Sequence, residues 1–232
     1  VSPGSRDYCA TIPALPAEPV IDGELDCGLE LASIGTNWNG DLPVPSDHGA
    51  EYAVAWRPDG LYFFVRVRDP DRLPPAADVG AFCGDSVELF VHHDGTPEMA
   101  PLYSSPGTGQ FIVAAPVDAQ TISRRAELYV MALMDWSSDR VLAFPLSDGY
   151  AVEGFFTATD LKLASWALAA EDVVGIDVSL NVSWPDARQG DCGTRQGQYV
   201  LRRAPDDTGP ASNVNAFCFA TLESLRAGLH DR

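Results

Sequence analysis

The stretch EYAVAWRPDGLYFFVRVRD, residues 51–69, decides the fold. Two runs of alternating apolar residues flank Arg57-Pro58-Asp59-Gly60. Proline presets φ there and glycine tolerates the backbone angles of a tight turn, so the stretch reads as a β-hairpin. Side chains alternate along a strand. Leu61, Phe63, Val65 and Val67 therefore share one face, and Tyr62, Phe64, Arg66 and Arg68 the other. Trp56 alternates in phase with Tyr52 and Val54 and reads as core.

The same period of two recurs along the chain. DSVELFVHH (85–93) puts Val87, Leu89 and Val91 inward. Strand-length segments follow at QFIVAAP (110–116), AELYVMALMD (126–135), RVLAFPL (140–146) and GYAVEGFFTA (149–158). In DVVGIDVSLNVSW (172–184), Val174, Ile176, Val178, Leu180 and Val182 face one way and Asp177, Ser179, Asn181 and Ser183 the other. QYVLRRA (198–204) and NAFCFATL (215–222) complete the set. TDLKLASWALAA (159–170) breaks the alternation behind a Thr159-Asp160 cap, and predicts one short helix with Trp166 in the core. The fold class expected is all-β: an antiparallel, jelly-roll-like β-sandwich of about ten strands with one short helix. Residues 1–19 read as a Pro-rich lead-in anchored through Cys9, 20–225 as the sandwich, and 226–232 as a tail.

Net charge is −18, from 33 acidic and 15 basic side chains. Such a field repels phosphate backbones and anionic lipid and attracts cations, so no nucleic-acid partner is expected. No apolar run reaches the roughly 20 residues of a membrane helix, and no membrane insertion is expected. Cys9, Cys27, Cys83, Cys192 and Cys218 are dispersed without zinc spacing. In a chain rich in proline and loops they suit two disulfides, one leftover thiol and an oxidising compartment. The opening VSPGSRDYCATIPALPAEP lacks the apolar centre of a signal peptide, so a secreted chain is expected to have lost its signal.

Catalytic apparatus is sparse. Asp85 and Glu88 suggest a paired-carboxylate glycosidase, but residues three apart on a strand point to opposite faces. Only a partner such as Asp177 or Glu153 keeps that reading open. His92 and His93 fall on opposite faces by the same rule, which argues against a histidine metal site. Nucleophile-elbow, zinc-protease and phosphate-loop motifs are absent from the sequence.

The five tryptophans carry more information, because flat aromatic rings stack on the C–H faces of sugars while polar neighbours take the hydroxyls. Trp184 ends the long strand beside Asn181 and Ser183. Trp38 in GTNWNGD and Trp136 in MDWSSD sit in polar loop contexts. Asp69 and Asp71, two apart at a strand exit, are candidate ligands for a structural calcium ion.

PVIDGELD (19–26), YAVAWRPDGLYFFVRVRD, CGDSVELFVHHDG, GYAVEGFFTATDL, VVGIDVSLNVSW and FCFATL, in that order over residues 18–225, resemble the family 9 carbohydrate-binding modules and their DOMON-like relatives. The resemblance implies a non-catalytic extracellular β-sandwich in which two tryptophans clamp a sugar, polar side chains bind its hydroxyls, and calcium supports the structure. The family's N-x-x-W element matches Asn181 and Trp184. Its second clamp tryptophan belongs in the loop before DSVE, where PPAADVGAFCG has none. Phe82, Trp38 or Trp136 is then the expected substitute. Cys83 and Cys192 both lie in loops at what would be the ligand end, and the resemblance implies that they are bridged. No haem is expected, although Met131, Met134 and His92 are the side chains that could ligate it. The partner implied is an oligo- or polysaccharide, with further domains of a larger secreted protein. The alternative is a DOMON-like structural or interaction domain that binds no sugar, followed by a haem-binding relative or a glycosidase.

Overall fold

The computed structural model describes residues 6–26, 28–34, 36–37, 48–95, 106–130, 132–136, 139–183, 195–201 and 217–224. The strands are β1 (Thr11–Ile12), β2 (Ala32–Ile34), β3 (Thr36–Asn37), β4 (Gly49–Arg57), β5 (Gly60–Arg68), β6 (Ser86–His92) and β7 (Thr108–Ala114). They continue with β8 (Ala126–Val130), β9 (Ala132–Trp136), β10 (Val141–Leu146), β11 (Gly149–Thr157), β12 (Val173–Ser183), β13 (Arg195–Val200) and β14 (Cys218–Leu222).

They form two sheets. One has nine strands, running β1-β14-β12-β6-β7-β8-β9 with β13 also paired to β12 and β3 to β13. The other has five, ordered β10-β11-β5-β4-β2. The predicted hairpin is β4–β5, with Arg57 opposite Gly60 and Pro58-Asp59 as the two-residue loop. Gly60 is required because a Cβ there would collide with the Phe156 carbonyl oxygen of the adjoining β11.

Alternation builds the core as expected. Leu61, Phe63, Val65 and Val67 from β5, Val87, Leu89 and Val91 from β6, and Val174, Ile176, Val178, Leu180 and Val182 from β12 are all buried in one cluster. Phe111 of one sheet meets Phe156 of the other at 3.9 Å between ring centroids, which fixes the inner face of each. Each such side chain contributes roughly 1.5–3 kcal/mol by leaving water. Trp56 and Trp166 both belong to this core, and the Trp56 indole N–H donates to Glu223 O at 2.9 Å.

Three details differ from the sequence reading. No helix forms over 159–170. One helical turn ends in a Schellman closure, with Leu163 N–H donating to Ala158 O and Lys162 N–H to Thr159 O while Lys162 takes a φ of 57°. The Asp160 carboxylate turns back to accept from Thr157 N–H (2.8 Å) and Oγ1 (2.9 Å). The chain beyond is an irregular strap whose Leu161, Trp166 and Leu168 plug the core. Its apolar residues serve the sandwich rather than a helix face. Among the described residues, the helix that does form is a 3₁₀ turn at Ala81–Cys83. Second, AELYVMALMD is two antiparallel strands, β8 and β9, reversing between Val130 and Ala132.

Third, the lead-in is part of the packed body. β1 pairs parallel to β14, and Trp56 N–H donates to Pro13 O (2.9 Å) while Leu15 N–H donates to Trp56 O (2.8 Å), so this segment crosses from one sheet to the other. Tyr8, Ile12 and Leu15 are buried in the core. Cys9 anchors it through a disulfide to Cys218, 209 residues away in sequence.

Candidate functional site

Alternation that turns apolar side chains inward on β6, β7 and β12 turns polar ones outward, and on the outer face of the nine-stranded sheet these are buried too. Ser86, Glu88, Gln110, Asp177, Ser179, Asn181 and Ser183 form a strip shielded from water. Burying such groups is costly unless they satisfy one another. Ser86, Glu88, Gln110 and Asn181 do so, while the hydroxyls of Ser179 and Ser183 have no hydrogen-bond partner among the described residues. β12 pairs with β6 so that Asn181 lies opposite Ser86 and Ser179 opposite Glu88. The Asn181 amide nitrogen donates to Ser86 Oγ at 2.9 Å and to Glu88 Oε1 at 2.6 Å, and Gln110 Nε2 donates to Glu88 Oε2 at 2.6 Å. Both amide hydrogens of Asn181 are thus committed, which fixes its plane.

Asp85 locks the end of the strip. Its carboxylate accepts from Leu73 N–H and from Ser183 N–H, the latter at 2.6 Å, so the end of β12 is tied to the loop that precedes β6. Burial, reinforced by the charge of and hydrogen bond to Asp69, raises the Asp85 pKa well above the carboxylate range. Asp69 is buried as well. It accepts from Asp71 N–H at 3.1 Å and lies 3.3 Å from His48 Nε2. Asp71 itself is exposed, so the backbone rather than the side chain of Asp71 meets Asp69. Two carboxyls in contact share a proton, in keeping with the raised pKa of Asp85.

Phe82 packs against Ala81, Ile112 and Ala114 on the same outer face. Ile112 is opposite Glu88 and Ala114 opposite Ser86, so Phe82 adjoins the strip. Cys83 is disulfide-bonded. Cys192, Trp38 and Trp184 lie outside the described residues. Trp136 has its backbone in β9, opposite Ala126 and three strands from β6, and its side chain lies outside what is described.

Asn181 and Phe82 thus lie on the same outer face, on β12 and against β7, with β6 between them. Of the carboxylate pairings, Glu88 with Asp177 shares this face, while Glu88 with Glu153 is divided between the two sheets. Asp85 and Glu88 diverge. Glu153, on β11 of the other sheet, accepts from Asp22 N–H (2.8 Å), Gly23 N–H (2.7 Å) and Tyr62 Oη (2.8 Å), and clamps the segment before β2. Sequence reasoning weighed Glu88 only as a catalytic acid and passed over Gln110 and Ser86. Their outward phase was readable, and the pairing of β6 between β12 and β7 was not. A cavity of about 240 Å³ is lined by Ser33, His48, Glu51, Arg68 and Tyr199, and its His48 reaches the end of the strip through Asp69 and Asp85.

No protein-family model matches the sequence, and no curated protein sequence matches it. Among solved structures, a family 9 carbohydrate-binding module from Caldicellulosiruptor kristjanssonii in complex with cellotriose superposes with a TM-score of 0.63 at 19% identity, covering 96% of this chain and 97% of that one. A family 9 module from the same organism in complex with glucose gives a TM-score of 0.62 at 17% identity over 95% and 100% of the two chains. With its two sheets and its full-length superposition, this chain has the fold of the family 9 carbohydrate-binding modules.

Proposed function

We propose that the protein is a non-catalytic, extracellular carbohydrate-binding module that takes an oligosaccharide at the end of the outer strip, with Trp184 as the stacking platform. The observation that carries this is the Ser86–Asn181–Glu88–Gln110 network at the end of β12 that leads into Trp184, in a fold shared with modules solved around cellotriose and glucose. A sugar hydroxyl both donates and accepts. In this reading Asn181 is the hydroxyl partner, its amide held in direction by Ser86 and Glu88. Phe82, on the same face, is the candidate for the opposite wall of the clamp.

The Cys9–Cys218 disulfide favours an oxidising compartment. We extend the same reading to a Cys83–Cys192 bridge that would hold the Phe82 turn near Trp184; peptide mapping that finds Cys192 as a free thiol contradicts it. Such a module serves as one domain of a larger secreted protein. A glycan array probed with the folded chain tests the function. Saturable binding to at least one glycan is expected, and a folded protein that binds none refutes the proposal.

A further inference from the structure

We propose that His92, His93 and Asp94 form a three-ligand site for a divalent transition metal of the zinc class. β6 ends at His92, and the chain bends over 93–95. His93 therefore escapes the alternation that would send it to the opposite face, which corrects the expectation from sequence. One donor atom from each of the three residues lies within 4.8 Å of the others. His92 Nε2 is 3.3 Å from Asp94 Oδ1, and His93 Nε2 is 3.2 Å from Asp94 Oδ2. Two ligands each about 2.0–2.1 Å from one tetrahedral ion stand about 3.3 Å apart, so each contact has the length of one such edge. They run to different oxygens of Asp94, and a turn of the carboxylate sets a single oxygen against both imidazoles.

Both rings are held in place before any ion arrives. His92 Nδ1 lies 2.7 Å from Thr108 Oγ1, the kind of outer contact that orients an imidazole for ligation through its other nitrogen. The two imidazoles meet edge to face at 5.4 Å, and Phe219 presents its edge to His92 at 6.3 Å. His93 N–H donates to Gly107 O at 2.9 Å, and the Trp166 indole donates to His93 O at 3.2 Å. Gly107 has a φ of 96°, and a Cβ there would collide with the His93 ring, so glycine admits the imidazole. His93 Nδ1 is buried without a hydrogen-bond partner among the described residues, leaving Nε2 as the nitrogen that polar chemistry reaches.

His92 is buried, while the side chains of His93 and Asp94 are 31% and 46% exposed, enough to admit an ion and a fourth ligand from water. Two imidazoles and one carboxylate select zinc, nickel or copper over calcium and magnesium, which prefer all-oxygen shells. Ser86 and His92 stand at opposite ends of β6, so this site is separate from the proposed sugar site and stands or falls without it.

The test uses untagged, chelator-stripped full-length chain. Calorimetric titration with zinc chloride is expected to show one ion per chain, and cobalt chloride to give visible d–d absorption bands. His93→Ala and Asp94→Asn, both part-exposed, are each expected to weaken zinc binding at least tenfold while melting like wild type in EDTA. Absence of saturable zinc binding and of cobalt bands in the wild type overturns the proposal. So does a zinc affinity in both variants within twofold of wild type.

Discussion

Asn181 and Glu88 form a buried polar pair that ties β12 to β6. Removing one partner strands the other, so Asn181→Ala should destabilise the fold by about 1–3 kcal/mol, read from denaturant unfolding. Glu88→Gln, which keeps shape and one acceptor, should cost less. If Asn181→Ala left stability unchanged, the network would not be holding the strip together. Asp85 makes a prediction about pH. Its folded-state pKa is raised above the unfolded value, by burial first and by Asp69 second, so the folded protein holds a proton that the unfolded chain releases. The Asp85 contribution to stability should therefore be full below the ordinary carboxylate pKa and be lost as pH rises through the raised value. Asp69→Asn, which supplies a permanent amide proton to Asp85, should flatten that fall in melting temperature against pH. A calcium ion at the same corner would replace the proton, so EDTA should lower the melting temperature at alkaline pH and added calcium should restore it. No response to either removes calcium from Asp69.

At the scale of elements, alternation was a sound guide to which residues face inward. It placed Leu61 to Val67, Val87 to Val91 and Val174 to Val182 in the core, and it separated Asp85 from Glu88. It failed where strands end. His93 lies just past β6, and there the face is set by a bend. It also failed where apolar residues are spaced to plug a cavity, as in the strap at 158–168, whose Leu161, Trp166 and Leu168 imitate the apolar content of a helix without its hydrogen bonds. Trp166→Ala should cost about 3–5 kcal/mol by opening a cavity at the sandwich end; a loss under 1 kcal/mol would show that the strap is not part of the core. The strand pairing that sets Asn181 opposite Ser86 was not legible either, because cross-strand register depends on contacts nearly a hundred residues apart.

For the whole molecule, the first and last strands are joined side by side in β1–β14 and covalently in Cys9–Cys218. A crosslink closing so long a loop limits the unfolded chain, and replacing both cysteines by serine should lower stability by about 2–5 kcal/mol. Retention of full stability would show that strand pairing alone secures the termini. The sandwich itself was readable from order and period. The location of the strip on its outer face needed the structure, since inner and outer polar positions look alike until the second sheet is placed. The most direct test of the account is the affinity of wild type and Trp184→Ala for the strongest glycan found on the array, measured by calorimetry with melting curves alongside. The account predicts at least a tenfold loss of affinity, about 1.4 kcal/mol, in a variant that melts like wild type. Equal affinities in the two proteins would contradict it.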